Sequence, residues 1–192
     1  MPEIQIRPAV AEDIPHLVEL DHDYTSDIVW QMEFQQTEEG QMPLMAGLPV
    51  DHLIAVHFRQ ARLPRSVKVD YPRPRRMLSE NWMQRSGLLV AQHENQVVGY
   101  ASLMLGIGPQ ATWMTDLAVM RRLRRQGVGS ALVLAGLEWA RQHGSQRLIL
   151  EMQPKNHPAI SLAQKLGFDF CGYLDRYYPN HDIALFFSRS AR

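Results

Sequence analysis

Two glycines between residues 115 and 130 have the type and spacing of a phosphate-binding turn. Residues 115–119 form an apolar, strand-like run, and apolar residues recur at helical spacing after Gly129. Gly127 and Gly129 therefore lie where a strand-to-helix turn becomes helix, and a residue without a Cβ lets a ligand approach the backbone. The first N–H groups of a helix lack intrahelical partners and carry partial positive charge, so this turn suits a pyrophosphate.

Arginines surround the turn and would add charge-assisted hydrogen bonds to the same anion. The stretch is neither of the two common phosphate signatures. A P-loop requires Gly-Lys followed by Ser or Thr, whereas Gly129 is followed by Ser130 and Ala131, and a Rossmann turn requires a third glycine. The alternative is an ordinary strand-to-helix turn with solvated arginines. The arginines are Arg121, Arg122, Arg124 and Arg125.

The run Arg124-Arg-Gln-Gly127-Val-Gly129 resembles the signature Arg/Gln-x-x-Gly-x-Gly/Ala of the Gcn-related N-acetyltransferases, the GNAT family. The resemblance extends over residues 100–187, whereas residues 24–86 match no part of the family pattern. Within residues 176–185, the runs Arg176-Tyr-Tyr-Pro179 and Asp182-Ile-Ala-Leu185 are similar to the branch that acetylates protein N-terminal amines, such as the ribosomal-protein alanine acetyltransferases. The other matching pieces are Leu148-Ile-Leu-Glu151, Asn156 and Lys165-Leu-Gly-Phe168.

The resemblance implies one α/β (α+β) domain over residues 1–192, with a mixed central sheet flanked by helices on both faces. The order of elements, with a βαβ crossover after the central strand, independently predicts such a sheet. By resemblance, the central strand and the strand at residues 147–152 splay apart, and the pantetheine arm of acetyl-coenzyme A lies between them like an added strand. The Val119 N–H would bind the thioester oxygen. The implied cofactor-binding residues are Leu117, Ala118, Val119, Arg124, Arg125, Gln126, Gly127, Val128, Gly129, Ser130 and Asn156.

Transfer of an acetyl group requires a neutral amine, whereas an alkyl ammonium has a pKa near ~10 and an N-terminal ammonium a pKa near ~8. A base would therefore help. Glu151 matches the family carboxylate and would lie on the wall of the cleft, and Asp116 is the second candidate. Either carboxylate could instead pair with an arginine at the sheet edge. Asn156 could equally cap the helix that follows it.

One position departs from the family pattern. Family members commonly carry a tyrosine four residues before the Gly-Phe pair, where it protonates the leaving thiolate, and this chain has Ala163 there. A thiol with a pKa near ~8.5 leaves fairly well unprotonated, and the loss of a general acid costs about 10² or more in rate. Tyr177 or Tyr178 could replace the tyrosine or line the acceptor site. A catalytically weak acyl-coenzyme A-binding domain and a small-amine acetylase are the alternative functions.

Composition limits the remaining classes. The 192 residues carry no net charge, no run approaches a membrane helix, and Cys171 is the only cysteine, so a cytoplasmic protein without a nucleic-acid or membrane partner is expected. The eight histidines show no metal-type spacing, so no metal is expected. A homodimer is left open.

Charge is segregated along the chain. Residues 8–58 contain no lysine or arginine, whereas residues 59–76 are basic. An acidic surface would attract an ammonium group, so a cationic amine acceptor is predicted, with Glu33, Glu38 and Glu39 as steering groups. In the alternative interpretation, the acidic segment docks on the protein's own basic segment.

Periodicity and turn residues predict the other elements. A helix follows a first strand, and a second helix through Ile28, Val29 and Met32 is predicted within residues 21–39. Residues 40–49 are a predicted loop, and residues 54–58 and 67–71 are predicted to form a hairpin with its bend at residues 63–65. Later elements are a short helix at 77–85, a hairpin around Glu94-Asn95, a long helix ending near Gly144, a short helix at 159–166, and strands at 147–152, 168–174 and 183–188.

Overall fold

A computed structural model describes residues 3–37 and 53–192. The predicted loop at residues 40–49 lies outside them. The strands are β1 (Gln5–Pro8), β2 (Tyr24–Thr37), β3 (Leu53–Val69), β4 (Gly87–His93), β5 (Gln96–Met104), β6 (Ala111–Val119), β7 (Arg147–Met152), β8 (Asp169–Leu174) and β9 (Ala184–Ser190). The α-helices are α1 (Ile14–Glu19), α2 (Arg76–Asn81), α3 (Val128–Gln142) and α4 (His157–Lys165). Among the described residues, no helix is long and apolar enough to cross a membrane.

The main sheet has seven strands in the order β1-β4-β5-β6-β7-β9-β8. β6 and β7 are parallel and are joined through α3, whereas the other neighbouring strands are antiparallel. The hairpin between β4 and β5 turns at Glu94 and Asn95, which both have positive φ, as in the two-residue turns that favour asparagine. The strands predicted from residue 88 onwards are therefore confirmed, as are the long helix and the βαβ crossover.

Apolar side chains are buried on both faces of this sheet. Alternate residues of a strand point to opposite faces, and β4 places Leu89 and Ala91 in one core cluster and Leu88 and Val90 in another. The first cluster includes the buried residues of α3 and α4, and the second includes those of α1 and α2. The predicted fold class, an α/β fold with a mixed sheet and helices on both faces, is confirmed.

The pairing of β6 with β7 stops partway along both strands. It runs from Ala111 and Arg147 to Met114 and Leu150, whereas β6 continues to Val119. The two strands therefore separate towards their C-terminal ends, as the family resemblance implies. Backbone groups on this side of β6 face an open cleft instead of a neighbouring strand.

The segment between α1 and α2 is a long β-ribbon, formed by β2 and β3 as a separate two-stranded sheet. The second helix predicted within residues 21–39 is therefore wrong, because Ile28, Val29 and Trp30 are β-branched or aromatic residues that favour a pleated surface over a helix. The hairpin predicted within residues 54–71 is also wrong, because both of its strands belong to β3.

The predicted bend at residues 63–65 is a bulge. The register passes from Ser26 opposite Val67 to Ile28 opposite Arg62, so four residues of β3 face a single residue of β2. Pro64 lies in this irregularity, where its missing N–H breaks no regular ladder. Residues 63–65 do interrupt the regular pairing, but the interruption lies within the single strand β3.

Ion pairs link the two strands of the ribbon. The acidic segment therefore docks on the protein's own basic segment, as one of the two interpretations of the charge pattern expects. The pairs are Glu33 with Arg59, Asp27 with Arg62 (3.8 Å) and Asp23 with Lys68 (2.9 Å). The arginine and lysine side chains of these pairs are largely exposed, so each pair contributes little stability. The other two predicted steering groups, Glu38 and Glu39, lie outside the described residues.

The close approach of β5 to β6 generates a stability prediction. A Cβ added at Gly99 would lie 2.8 Å from the backbone oxygen of Ala118, which cannot move without disturbing β6. Gly99→Ala should therefore lower the free energy of unfolding by about 1–3 kcal/mol in urea denaturation. Gly136→Ala is the control, because the one close contact of its Cβ would be with the flexible end of Met114 (2.6 Å), its contacts with Leu103 and Leu148 would be ordinary, and alanine favours the helix by about 1 kcal/mol. Equal losses in both variants would contradict the steric argument.

Candidate active site

Backbone groups of β6 line the cleft between β6 and β7. The Met120 N–H donates to the Val98 oxygen of β5 at 2.7 Å. Because N–H groups alternate in direction along a strand, those of Leu117 and Val119 point the other way, into the cleft. Ala118 instead pairs with Tyr100 of β5. Leu117 and Val119 are therefore placed to bond an extended ligand arm.

The glycine turn follows β6 directly. Arg125 and Gly127 have φ angles of 65° and 94°, in the left-handed region, and Gly127 is the N-terminal cap of α3. The Ala131 N–H donates to the Gly127 carbonyl at 3.0 Å, so the N–H groups of Val128, Gly129 and Ser130 precede this bond in the first turn. The backbone therefore has the form of a strand-to-helix turn, and anion binding at these N–H groups stays a prediction.

The arginines of the turn have different roles. Arg124 donates to three backbone carbonyls, those of Val119 (2.9 Å), Asp23 (2.8 Å) and Asp21. Burial lowers its pKa, and its guanidinium ties the turn to the segment before β2. Arg125 and Gln126 are exposed, and the Gln126 amide donates to the Arg122 carbonyl at 2.9 Å. The Arg124 side chain therefore supports the turn, whereas the Arg125 side chain is exposed.

Asn156 lies at the mouth of the cleft. Its side-chain oxygen accepts a hydrogen bond from the Ala159 N–H at 3.2 Å, so it caps α4. It also lines the cavity between β6 and β7. The two predicted roles are compatible.

Two cavities meet beside the end of the β6–β7 pairing. The donor cavity lies between the splayed strands and is lined by Leu117, Glu151 and Tyr178, among others. The acceptor-side cavity has a volume of about 240 Å³ and lies against α2 and Asp116. Residues that line both cavities form their shared wall; they are Tyr71, Arg73 and Thr115.

Glu151 lies on the donor side of this wall. Its side chain is 0% exposed and forms an ion pair with Arg73. The Tyr177 hydroxyl donates to its other oxygen at 2.9 Å. The carboxylate therefore lies beside the open cleft but has a cation and a hydroxyl as partners.

Asp116 lies on the acceptor side and is also buried. The Arg85 guanidinium donates to it at 2.6 Å, the Thr115 hydroxyl at 3.1 Å, and Tyr71 through its hydroxyl, while Arg73 lies 3.6 Å away. Burial alone would raise the pKa of Asp116, but the charges of Arg73 and Arg85 and these hydrogen bonds outweigh it, so the pKa is lowered. A carboxylate with a lowered pKa and three hydrogen-bond donors is a weak base.

The tyrosines at positions 177 and 178 lie on the loop between β8 and β9. Burial, followed by the charge of Glu151, raises the pKa of Tyr177 to about 12 and raises that of Tyr178 further. Tyr178 is buried and lines the donor cavity. Ala163, at the family's usual tyrosine position, is fully buried in the core cluster that contains α4. Helix α4 thus supplies no hydroxyl at that position.

Sequence reasoning missed the residues that hold the shared wall together. Arg73 and Arg85 come from the segment around α2, and their carboxylate partners lie 31 to 78 positions away along the chain. Residues so far apart along the chain form no local sequence motif. A signal was present in Tyr71-Pro-Arg73-Pro74, because prolines on both sides of an arginine restrict the backbone and fix where its side chain starts.

A buried histidine lies behind the acceptor-side cavity. His22 Nε2 is 2.9 Å from the Tyr100 hydroxyl, and Nδ1 is 2.6 Å from the Leu20 carbonyl. A protonated Nδ1 would donate to the carbonyl, and Nε2 would then accept from Tyr100. Burial lowers the pKa of His22, so the ring is neutral at pH 7. This pair gives the cavity an uncharged polar wall.

The fold and the glycine turn agree with the comparison to known families. The sequence model of the acetyltransferase (GNAT) family matches residues 55–168, which is more than half of the chain. The chain belongs to this family, and the family resemblance is confirmed. The match begins within residues 24–86, which the sequence resemblance had not reached.

Individual relatives have several kinds of acceptor in their names. The chain is 28% identical to an N-alpha-acetyltransferase of Sulfurisphaera tokodaii over 52% of this chain and 66% of that protein. It is 30% identical to a streptothricin acetyltransferase of Streptomyces lavendulae over 41% of this chain and 42% of that protein. The matched region thus spans about half of these relatives. A ribosomal protein bS18-alanine N-acetyltransferase of Bacillus subtilis also matches.

A solved structure shares the fold over nearly the whole chain. A Bacillus anthracis protein in complex with acetyl coenzyme A superimposes with a TM-score of 0.73, covers 98% of this chain and 99% of its own, and is 17% identical. At this identity the likeness establishes the fold alone.

The geometry of the turn generates a binding prediction. Gly129 lies in the first turn of α3, and a Cβ there would be 3.4 Å from Leu162, an ordinary contact. Gly129→Ala should therefore fold and lose little affinity, whereas the longer branches of Gly129→Val would extend towards the anion site and the neighbouring Val119. Calorimetry with acetyl-coenzyme A should show affinity at least tenfold weaker for the valine variant, that is, a loss of about 1.4 kcal/mol. Unchanged affinity in Gly129→Val would contradict pyrophosphate binding at this turn.

Proposed function

We propose that this chain transfers the acetyl group of acetyl-coenzyme A to an amine by direct attack in a ternary complex. The observation that supports this most strongly is the meeting of two cavities at Tyr71, Arg73 and Thr115. One cavity lies between β6 and β7 beside Leu117, and the other lies against α2. A donor and an acceptor could therefore approach the same point from different sides, which is what a direct transfer requires.

The donor's position follows from the direction of β6. With the pyrophosphate at the Gly127 turn, the pantetheine arm would run along Val119 towards Leu117, and the thioester would lie in the donor cavity. Leu117 lines that cavity together with Glu151. The cavity therefore favours the Leu117 N–H as the donor to the thioester oxygen, with Val119 bonded to the arm further out, in place of the role that family resemblance gave to Val119.

The reaction then needs one proton acceptor. The amine nitrogen attacks the thioester carbon, the C–S bond breaks, and the sulfur takes the electron pair. The proton lost from nitrogen goes to Glu151, directly or through a water, and from there to solvent. Glu151 suits this role better than Asp116, because Asp116 has a lowered pKa and accepts hydrogen bonds from three side chains.

The relatives and the acceptor-side cavity limit the classes of acceptor. Relatives named for protein N-termini and for a small-molecule antibiotic leave both classes open. The acceptor-side cavity of about 240 Å³ is smaller than the usual range for drug-sized ligands, so it would take a small amine or the amine end of a larger molecule. A thiol-release assay with peptide N-termini, lysine peptides and polyamines would identify the class. Binding of acetyl-coenzyme A without turnover on any of them would favour the second candidate, an acyl-coenzyme A-binding domain, which the buried Ala163 keeps open.

The proposed base can be tested by substitution. Glu151→Gln should lower kcat on the order of 10²-fold or more and remove the acid limb of the pH profile, because no carboxylate is left to be protonated. The affinity for acetyl-coenzyme A, measured by calorimetry, should change little. Tyr177→Phe is the matched control, since it removes the hydrogen bond to Glu151 but keeps the carboxylate. Wild-type turnover of Glu151→Gln at every pH would shift the role to Asp116 or to solvent.

A cationic acceptor predicts a salt dependence. If an acidic surface steers the acceptor, its kcat/KM should fall as ionic strength rises, because salt screens exposed charges. The double variant Glu38→Gln and Glu39→Gln should flatten this response. Glu33→Gln should not, because Arg59 already pairs with that carboxylate. A flat response in the wild type would leave internal docking as the whole explanation of the charge pattern.

A further inference from the structure

We propose that Arg73 stabilises the leaving sulfur of coenzyme A as a thiolate, so that the reaction needs no general acid at the position of Ala163. The inference rests on the proposed function, and it assigns to Arg73 a direct contact with the reacting sulfur. It starts from the shared wall of the two cavities, where Arg73 lines both of them.

The available hydroxyls are poor proton donors for this sulfur. The Tyr71 hydroxyl donates to Asp116, the Tyr177 hydroxyl donates to Glu151, and the Tyr178 hydroxyl lies among buried groups beside Glu151. Burial raises the pKa of all three phenols well above the ~8.5 of a thiol, so proton transfer from any of them to a thiolate would be uphill. An anionic leaving group therefore needs electrostatic stabilisation in place of protonation.

Arg73 is placed to supply that stabilisation. Its Nη1 donates to the Thr115 carbonyl at 2.8 Å, one residue past the last paired residue of β6, and its Nη2 bonds Glu151. Thr115 lies two residues from Leu117, or about 7 Å along the strand. A thioester held by the Leu117 N–H would thus lie within reach of the guanidinium. An arginine has five N–H donors, and these two bonds leave others for a ligand.

The ion pair with Glu151 links this charge to the reaction. Before attack, the Glu151 carboxylate balances the Arg73 guanidinium. When Glu151 takes the proton from the amine, it becomes neutral, and Arg73 keeps only its longer ion pair with Asp116 (3.6 Å) as the sulfur becomes negative. The guanidinium can then pair with the thiolate. The thiolate later takes a proton from solvent, so the products are an acetamide and coenzyme A.

The other charged groups around this point are already paired or uncharged. The shared wall and its neighbours contribute Tyr71, Arg73 and Asp116, and β7 and the β8–β9 loop contribute Glu151 and Tyr178. Asp116 has Arg85 as its close partner at 2.6 Å. Once Glu151 is neutral, Arg73 therefore carries the charge that the sulfur meets.

The test is the pKa of the thiol of bound coenzyme A, measured from the ultraviolet absorbance of the thiolate during a pH titration. Glu151→Gln imitates the protonated carboxyl, so in this variant the bound thiol should titrate at least about one unit below the free value of ~8.5. The double variant Glu151→Gln and Arg73→Met differs from it only at Arg73. Its bound thiol should titrate at or above ~8.5, because burial disfavours an unpaired thiolate.

Binding measurements provide the matched control. Coenzyme A with hydrogen in place of the thiol should bind each variant with an affinity that does not change across the same pH range. Affinity for intact coenzyme A should rise with pH in Glu151→Gln about tenfold more than in the double variant. In the wild type, Arg73→Met should lower kcat on the order of 10²-fold with little change in the KM for acetyl-coenzyme A, as for a lost oxyanion donor.

The two outcomes that contradict the account are distinct. Equal thiol pKa values in Glu151→Gln and in the double variant, with coenzyme A bound to both, would overturn the role of Arg73 and leave the proposed function intact. Failure of the wild type to bind coenzyme A would overturn the proposed function itself. Because the double variant removes both members of the buried ion pair, it avoids an unpaired buried carboxylate at position 151.

Discussion

The separation of β6 from β7 after Met114 and Leu150 is the constraint from which the site is built. Buried backbone N–H and C=O groups require partners, and the last residues of β6 have a neighbouring strand on one side only. An extended ligand arm can supply the other side in the way that an added strand would. The glycine turn lies directly after this half-paired strand, so the fold fixes the distance between the predicted anion site and the open backbone groups of β6.

Electrostatics at the end of the pairing depends on a segment outside the main sheet. Arg73 and Arg85 lie near α2, and each bonds a carboxylate carried by β6 or β7. A buried carboxylate without such a partner would be costly, so these arginines keep Glu151 and Asp116 in place beside the cavities. They also give the two carboxylates different surroundings, because Asp116 receives most of the hydrogen bonds. The ribbon of β2 and β3 leads directly into the segment that carries Arg73.

Much of this fold could be predicted from the sequence, for local reasons. The turn at Glu94-Asn95, the glycine turn, and the helix end at Gly144 each have residue types that permit the required backbone angles. The ribbon could not be predicted in the same way. Ile28, Val29 and Met32 fit a helical period as well as a strand, and tertiary pairing with β3 decides between them. A proline such as Pro64 occurs both in the turn of a hairpin and in a bulge within one strand, so the sequence alone predicts the wrong one of the two.

The residues of the candidate site also fall into a group with local sequence motifs and a group with only long-range contacts. Family motifs are local, so the sequence predicts roles for Gly127, Glu151 and Asn156, whereas Arg73 and Tyr71 bond partners 45 to 78 positions away. No spacing rule connects such positions in a single sequence. Two of the predicted site residues have other partners in the structure. The Arg124 guanidinium bonds backbone carbonyls, and Asp116 has a pKa that is lowered by its arginine neighbours.

The central claim is that donor and acceptor meet at the wall formed by Tyr71, Arg73 and Thr115. A crystal structure of the protein with acetyl-coenzyme A bound tests it most directly. The account predicts the pyrophosphate at the N–H groups of residues 128–130, the thioester oxygen at the Leu117 N–H, and the sulfur within contact of the Arg73 guanidinium. A thioester that lies outside the cavity shared by Leu117 and Glu151, with the cofactor fully ordered, would contradict it.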